Sequence, residues 1–552
     1  MGGRAGALVA CVAALASTTG HAAADDRRGS CMALSEDGRV VFVADTEGEA
    51  VARVAIAQPP QVVRVPVTGG PEQVLLLPGG RVAITRRFSG RVAILDAATL
   101  ETKREAVVGT EPYGLALAPS GRELYVTDVQ DRRLTALDPR DLSRRWSVAL
   151  RDDDARAIAV APDGRRAYVA HLRAPRISVV DLERRAPLQS IPLPARHAFE
   201  RATRVVSIDV TPDGRSLWTA YNMVAPNGAA QGCSSYGCQA SDAVTPIMSA
   251  VARIDLARHR PSAQVVHSGS VFDPSDVVWS ARDAEAWISG SSVKTGSGRS
   301  LDTAYTECSL VRGDLVVRRD PLGDRVLVGA FGLAPREIPL GRPDAPELAA
   351  GRRLFHEPLG CRIAGAACQT CHAEGRHDGV VWSSPAGRVQ TPLLSGRLDL
   401  TQPYLWHASA LTLEDSIAQT LQRLGGGSGS SRVLTRDERH TLAQFLREGL
   451  PPIPRKLGTP LALRGAELFA TLDCARCHDP RRAYQNGGRY PLSLHDVIDV
   501  PSLRYVRLGA PYLHDGSAAD LAAVLRGGTM GRRAAELSRT DQAALIAFLE
   551  TL

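Results

Sequence analysis

One turn is written five times in the first half of this 552-residue chain. Ser35-Glu36-Asp37-Gly38-Arg39, Leu77-Pro78-Gly79-Gly80-Arg81, Ala118-Pro119-Ser120-Gly121-Arg122, Ala161-Pro162-Asp163-Gly164-Arg165 and Thr211-Pro212-Asp213-Gly214-Arg215 place their arginines 42, 41, 43 and 50 residues apart. Each turn is followed by a short β-rich run, such as Ala167-Tyr168-Val169-Ala170, and then by a second, such as Ile177-Ser178-Val179-Val180. Weaker copies surround Asp283-Ala284-Glu285-Ala286-Trp287 and Gly323-Asp324-Arg325-Val326-Leu327. A period of 40 to 45 residues with several strands each is the mark of propeller blades. A blade leaves apolar faces that only its neighbours cover, so the ring has to close. Counting turns predicts seven blades over residues 30–341. A Gly-rich insertion at 222–249, holding Cys233 and Cys238, is expected to project from the fifth.

After Pro339 the pattern changes from period two to helical, and a second duplication begins. Gly351-Arg352-Arg353-Leu354-Phe355 is echoed by Gly465-Ala466-Glu467-Leu468-Phe469, and Pro403-Tyr404-Leu405-Trp406-His407-Ala408-Ser409 by Pro511-Tyr512-Leu513-His514-Asp515-Gly516-Ser517. Two closing helices start at Thr435 and Ser538, each with an acid three residues later, which is a capping-box arrangement. The fold class expected is a multidomain β + α chain: a seven-bladed β-propeller, then two tandem α-helical cytochrome c domains at 342–456 and 457–552. The stretch 425–431 reads as a loop inside the first, and the Pro-rich run 451–460 as the linker between them.

The chemistry rests on Cys368-Gln369-Thr370-Cys371-His372 and Cys474-Ala475-Arg476-Cys477-His478. Each spells C-x-x-C-H, the attachment sequence of c-type haem. Two thiols at this spacing can add to the two vinyl groups of one porphyrin, and the following histidine then binds iron from one side. With 13 histidines in the chain, two such pentapeptides are beyond coincidence. Zinc sites and redox dithiols also use C-x-x-C, but neither explains a histidine immediately after each pair. The reading is two covalently bound haem c groups, held by Cys368, Cys371, Cys474 and Cys477, with His372 and His478 as iron ligands.

Residues 1–24 read as an export signal, with Arg4, an apolar stretch from Ala5 to Ala16, and small residues at Ala22-Ala23-Ala24. Leu8-Val9-Ala10-Cys11 also resembles a lipoprotein box and is ranked second. Periplasmic export agrees with the haem motifs, because bacterial c-type haem is attached outside the cytoplasm. Net charge is +7 and almost all the basic residues are arginine. No basic run with interleaved aromatics is present, so nucleic acid is not expected as a partner. Outside the motifs and Cys11 lie Cys31, Cys233, Cys238, Cys308 and Cys361, whose pairing stays open; a small Cys233–Cys238 loop is one alternative.

The blades resemble the YVTN type of bacterial β-propeller, through Leu124-Tyr125-Val126-Thr127-Asp128 and Ala167-Tyr168-Val169-Ala170-His171. The helical part resembles the bacterial dihaem cytochrome c peroxidase and MauG-like superfamily. The G-x-x-L-F helices, Pro403-Tyr404-Leu405-Trp406, Pro501-Ser502-Leu503-Arg504 and Pro511-Tyr512-Leu513-His514-Asp515-Gly516 carry that resemblance, and Cys371 to Gly379 looks closer still to propeller-fused members. It implies an exported oxidoreductase that reduces hydrogen peroxide or uses it on a partner, supplied by a small redox protein. It implies Met530 opposite His478, with His495 and His514 competing, and Trp406 as a relay between the haems. A distal histidine is implied near Arg388 and is absent; His407 and His356 are the alternatives. The acid–base glutamate falls in the 425–427 glycines, leaving Glu414 or Asp415 as substitutes. Two other readings remain: a non-catalytic electron-transfer or sensing cytochrome, and a propeller that binds an unknown ligand while the haems are structural.

Overall fold

The computed structural model describes residues 27–552 except 196, 198–199, 226–246, 259–261, 269–272, 281–284, 291–292, 295–299, 302–305, 331–332, 344, 359–365, 385–386, 426–433, 492–496 and 529. The export signal, Cys233, Cys238, Cys361, His495 and the 426–431 loop lie outside the described residues.

The first blade is an antiparallel meander of Met32–Leu34, Val40–Asp45, Ala50–Ala55 and Gln61–Pro66. Sheets at 71–107, 112–149, 155–192, 201–268 and 309–339 repeat it with four or five strands. The first strands of successive sheets contact one another, except that Arg201–Val210 reaches Ser309–Arg312 through Asp276–Ser280, and Met32–Leu34 meets Ser309–Arg312, so the ring closes. Among the described residues the expected seven blades become six. Between the fifth and last sheets the sixth repeat contributes, among the described residues, the pair Asp276–Ser280 and Glu285–Ser289, beside a second small pair at 293–301. This is one of the two repeats whose sequence copy of the turn is weak.

The repeated turn is explained by its glycine. Gly38, Gly80, Gly121, Gly164 and Gly214 all have φ between 67 and 71°, a region that costs a residue with a β-carbon. In the Asp-Gly-Arg versions the aspartate side chain accepts the arginine N–H, as Asp163 does from Arg165 at 2.9 Å. Buried Val, Ile, Leu and Ala from adjacent sheets fill the space between blades. His171 is fully buried, its ring bonded to the Asp153 carbonyl and the Ser178 hydroxyl.

A disulfide between Cys31 and Cys308 fixes the closure, joining the residues that lead into the first strands of the first and last blades. Residues 28–30 cross the ring rather than extending a blade. Arg28 and Ser30 form bridges to Ala116 and Val74, and the Arg28 guanidinium reaches Ser207 and Asp276. The central cavity, about 180 Å³, is lined by Arg28 and Gly29 and also by Gln369, Ala373 and Glu374 of the first C-x-x-C-H segment.

After the last strand, Arg336–Pro339, the chain turns helical. Helix α1 (Pro346–His356) crosses α3 (Arg436–Glu448), and α4 (Pro460–Thr471) crosses α6 (Arg539–Leu549). Between them lie α2 (Leu413–Gly425) and α5 (Leu521–Arg526). Among the described residues no helix is long and apolar enough to cross a membrane.

Candidate haem-attachment sites

The G-x-x-L-F motif is a helix-crossing motif in both halves. A β-carbon on Gly351 would lie 2.7 Å from the Thr441 carbonyl oxygen and overlap Phe445. One on Gly465 would overlap the Ala544 carbonyl. The glycines let α1 and α4 lie against α3 and α6, and Leu354, Phe355, Leu468 and Phe469 are buried beside them. Thr435 and Ser538 cap α3 and α6 through the N–H groups of Glu438 and Asp541, as their spacing predicts. The cores so formed receive the motif cysteines: Cys368 packs on the α1–α3 cluster and Cys474 on the α4–α6 cluster.

The two motif histidines share one arrangement. His372 Nδ1 lies 3.2 Å from the Arg376 carbonyl oxygen, and His478 Nδ1 lies 3.1 Å from that of Tyr484. A carbonyl only accepts, so Nδ1 carries the proton in both rings and Nε2 keeps its lone pair. Burial lowers both pKa values, that of His372 to about 4, so both imidazoles are neutral. The four motif cysteines are half-buried, and burial raises the Cys474 pKa. Among the described residues no three His, Cys, Asp or Glu side chains converge as a bare metal ion requires. Thiols beside an imidazole with its Nε2 available, not gathered on one point, fit a porphyrin held by its edge and its iron rather than a zinc ion.

The duplicated Pro-Tyr-Leu loops are alike in backbone. Tyr404 bridges Ala410 as Tyr512 bridges Ala518, and Leu405 and Leu513 have φ of 68 and 67°. Trp406 and His514 therefore occupy equivalent places, and they meet across the seam with ring centroids 6.4 Å apart. Gln390 joins them: its carbonyl accepts Trp406 Nε1–H at 2.8 Å and its N–H donates to the His514 carbonyl at 2.7 Å.

Other sequence candidates are less central. Glu414 stands in the first turn of α2, and its carboxylate faces α3, 3.1 Å from His440 Nδ1 and 3.9 Å from Arg447. Met530 is exposed, in a turn whose glycines Gly528 and Gly531 have positive φ. His377 is buried with both ring nitrogens engaged: Nδ1 accepts the Gly379 N–H, so Nε2 donates to the Leu508 carbonyl. His407 Nε2 is buried and has no hydrogen-bond partner among the described residues; His356 is half-buried beside Phe355, and desolvation lowers its pKa to about 3.

The surroundings of the two motifs differ sharply. The second borders an open surface lined by Arg476, Asp479, Arg481 and Asn486. The first is docked on the propeller. Glu374, two residues past His372, receives Arg87 at 2.5 Å and Arg156 at 2.6 Å from two different blades. Arg87 also binds Glu72 and Glu111, and Arg376 binds Glu111. Both propeller guanidinium groups lie over the Tyr113 ring. Farther along, Thr370 donates to Asp273, Thr203 to the Asp378 carbonyl and Arg201 to that of Gly379. Burial pushes the Glu374 carboxyl upward, but Arg156 and Arg87 outweigh it and hold the group ionised. Burial instead raises Asp378 to about 7. The propeller arginines and Glu111 were not among the sequence candidates, since no motif or period marks them.

No protein-family model matches the chain. It is similar to the methylamine utilization protein MauG of Methylorubrum extorquens, with 27% identity over 289 residues, covering 39% of this chain and 80% of that protein. The MauG of Methylophilus methylotrophus is 24% identical over 284 residues, covering 39% and 84%. Solved structures with some likeness include hydrazine synthase of Kuenenia stuttgartiensis, with TM-score 0.46 and 14% identity over 57% of this chain and 99% of that one. Another is virginiamycin B lyase of Staphylococcus aureus, with TM-score 0.40 and 11% identity over 54% and 93%. With its MauG similarity, its two C-x-x-C-H segments and its ring of blades, the chain resembles a MauG-like dihaem cytochrome fused to a β-propeller.

Proposed function

We propose that the chain is an exported dihaem c-type oxidoreductase in which a haem at Cys474–His478 passes electrons to or from a haem at Cys368–His372, where hydrogen peroxide is reduced or used on a partner. The observation that carries this reading is the pair of motif histidines, each spending Nδ1 on a carbonyl, together with the contact of Trp406 and His514 between the two duplicated loops. When bound, the haems would supply one-electron chemistry at iron. The protein's part is to anchor their edges through Cys368, Cys371, Cys474 and Cys477, to present His372 and His478 as neutral ligands, and to fill the gap with an aromatic side chain. The cytochrome c units are proposed at 342–456 and 457–552, with a small redox protein meeting the second, solvent-facing motif. Met530 is proposed opposite His478. The Cys31–Cys308 disulfide supports a periplasmic location reached through residues 1–24.

One observation favours an electron-transfer protein without turnover: Glu414, one of the two acids left after the 425–427 glycines, turns its carboxylate to α3. EPR and optical spectra of the diferric and half-reduced protein separate the two. The oxidoreductase reading expects a high-spin haem in one of these states that responds to added peroxide. Two low-spin haems indifferent to peroxide would leave only electron transfer.

A further inference from the structure

We infer that Glu111, a propeller residue, is a positioning residue for the iron ligand His372, acting through Arg376. The inference rests on the reading of Cys368–His372 as a haem site.

Glu111 precedes the inner strand Pro112–Leu117 of the third blade and is completely buried. Its position is fixed from several sides. Its backbone N–H donates to Asp128 at 2.8 Å, one carboxylate oxygen receives Arg87 Nε at 2.7 Å, and the other receives Gln130 Nε2 at 2.8 Å. The oxygen that receives Arg87 also receives Arg376 Nη2. Burial pushes the Glu111 carboxyl upward, and Arg376 and Arg87 bring it below its ordinary value, so it is an anion wherever the protein is folded near neutral pH.

Arg376 carries the contact to the ligand. Its side chain is buried, and its backbone is held in a tight turn by a 2.9 Å hydrogen bond to the Ala373 carbonyl. Its own carbonyl accepts His372 Nδ1–H. The path therefore runs from a propeller carboxylate, through a guanidinium, to a backbone oxygen that helps to set the tilt and basicity of the imidazole, alongside the Pro392 carbonyl that the ring also meets. Outer partners of a ligating histidine shape the metal through such a bond, and losing them commonly costs ten- to a hundredfold. The second motif has no such tie. The carbonyl serving His478 belongs to Tyr484, whose N–H bonds to the Asp479 carbonyl within the same loop. The propeller thus acts on one iron site of two, and the second serves as an internal control.

The test uses the full-length holoprotein and the variants Glu111→Gln and Arg376→Gln, with spectroelectrochemical titration of both haems and resonance Raman detection of the iron–histidine stretch. A loosened carbonyl makes His372 less basic and stabilises the oxidised iron less. Both variants are expected to raise the potential of the haem at His372 by about a tenfold change in its reduction equilibrium, ~59 mV for one electron. The stretch should fall in frequency, and the haem at His478 should not move. A simple charge effect gives opposite signs, up for Glu111→Gln and down for Arg376→Gln, and that result overturns the proposal. So does no shift, or an equal shift at both haems. Should Glu111→Gln fail to accumulate as holoprotein, the sign for Arg376→Gln decides alone. A haem count below two per wild-type chain removes the underlying haem reading rather than the positioning role.

Discussion

Replacing Arg156 with methionine keeps much of the side chain's length and removes the cation that joins propeller to helical module. In the native structure its guanidinium lies 2.7 Å from Asp154 and 2.6 Å from Glu374, and the Arg156 and Asp154 side chains are each 3% exposed. The loss leaves two carboxylates in a site built for an ion pair. Removing one partner of a buried pair costs about 3–5 kcal/mol, because the other charge stays behind without its counterion. For a cooperative unit of roughly 150–250 residues that is a fall in Tm of about 6–20 °C. The pH dependence gives a second check. Burial pushes the Asp154 pKa up, but Arg156 and Arg376 bring it down to about 2, below an unfolded value of about 3.9. A depressed carboxylate contributes stability that is full above its unfolded pKa and fades as pH falls through the folded one. The gap between wild type and Arg156→Met should therefore be widest near pH 7 and narrow between pH 4 and pH 2. Differential scanning calorimetry across that range measures it. A gap under 1 kcal/mol, or one that does not change with pH, refutes the view that this ion network docks the first motif.

Two further substitutions probe the frame. Gly465→Ala should destabilise the C-terminal half by about 1–3 kcal/mol in chemical denaturation, since the overlap with the Ala544 carbonyl outweighs the ~1 kcal/mol helix preference of alanine over glycine; Gly458→Ala, with open space around it, should not. Replacing both Cys31 and Cys308 with serine opens the covalent clasp between the first and last blades. It should lower unfolding stability by about 2–5 kcal/mol and leave the haem spectra unchanged, whereas an unaltered melting temperature would mean that strand contacts alone hold the ring shut.

What could be read from the chain follows from the range of each interaction. The blade turn is local: a glycine at positive φ with an aspartate two residues before the arginine it holds. Sequence shows it wherever it recurs. Turn strength alone does not set the blade count: of the two weaker copies, the one at Gly323 belongs to a four-stranded sheet, whereas the one near Asp283 lies in a repeat whose described residues form a two-stranded pair around Val277 and Trp287. The helical duplication was legible because Gly351 and Gly465 answer to identical steric demands. The docking of the first motif was not legible. Arg87, Glu111 and Arg156 meet Glu374 and Arg376 across more than 200 residues, and a buried charge pair has no period to betray it. Nor could five cysteines outside the motifs and leader disclose that Cys31 and Cys308 would be partners. Glu414, an acid at a helix start, was legible as a residue but not as one turned toward His440.

The lining of the central cavity has a consequence for access. Open rings of this kind offer their axial hole to a visitor, yet here the molecule supplies its own: Arg28 and Gly29 on the one hand, and Gln369, Ala373 and Glu374 on the other. A guest would have to evict part of the host. For the first C-x-x-C-H segment the blades therefore serve as a foundation rather than a doorway.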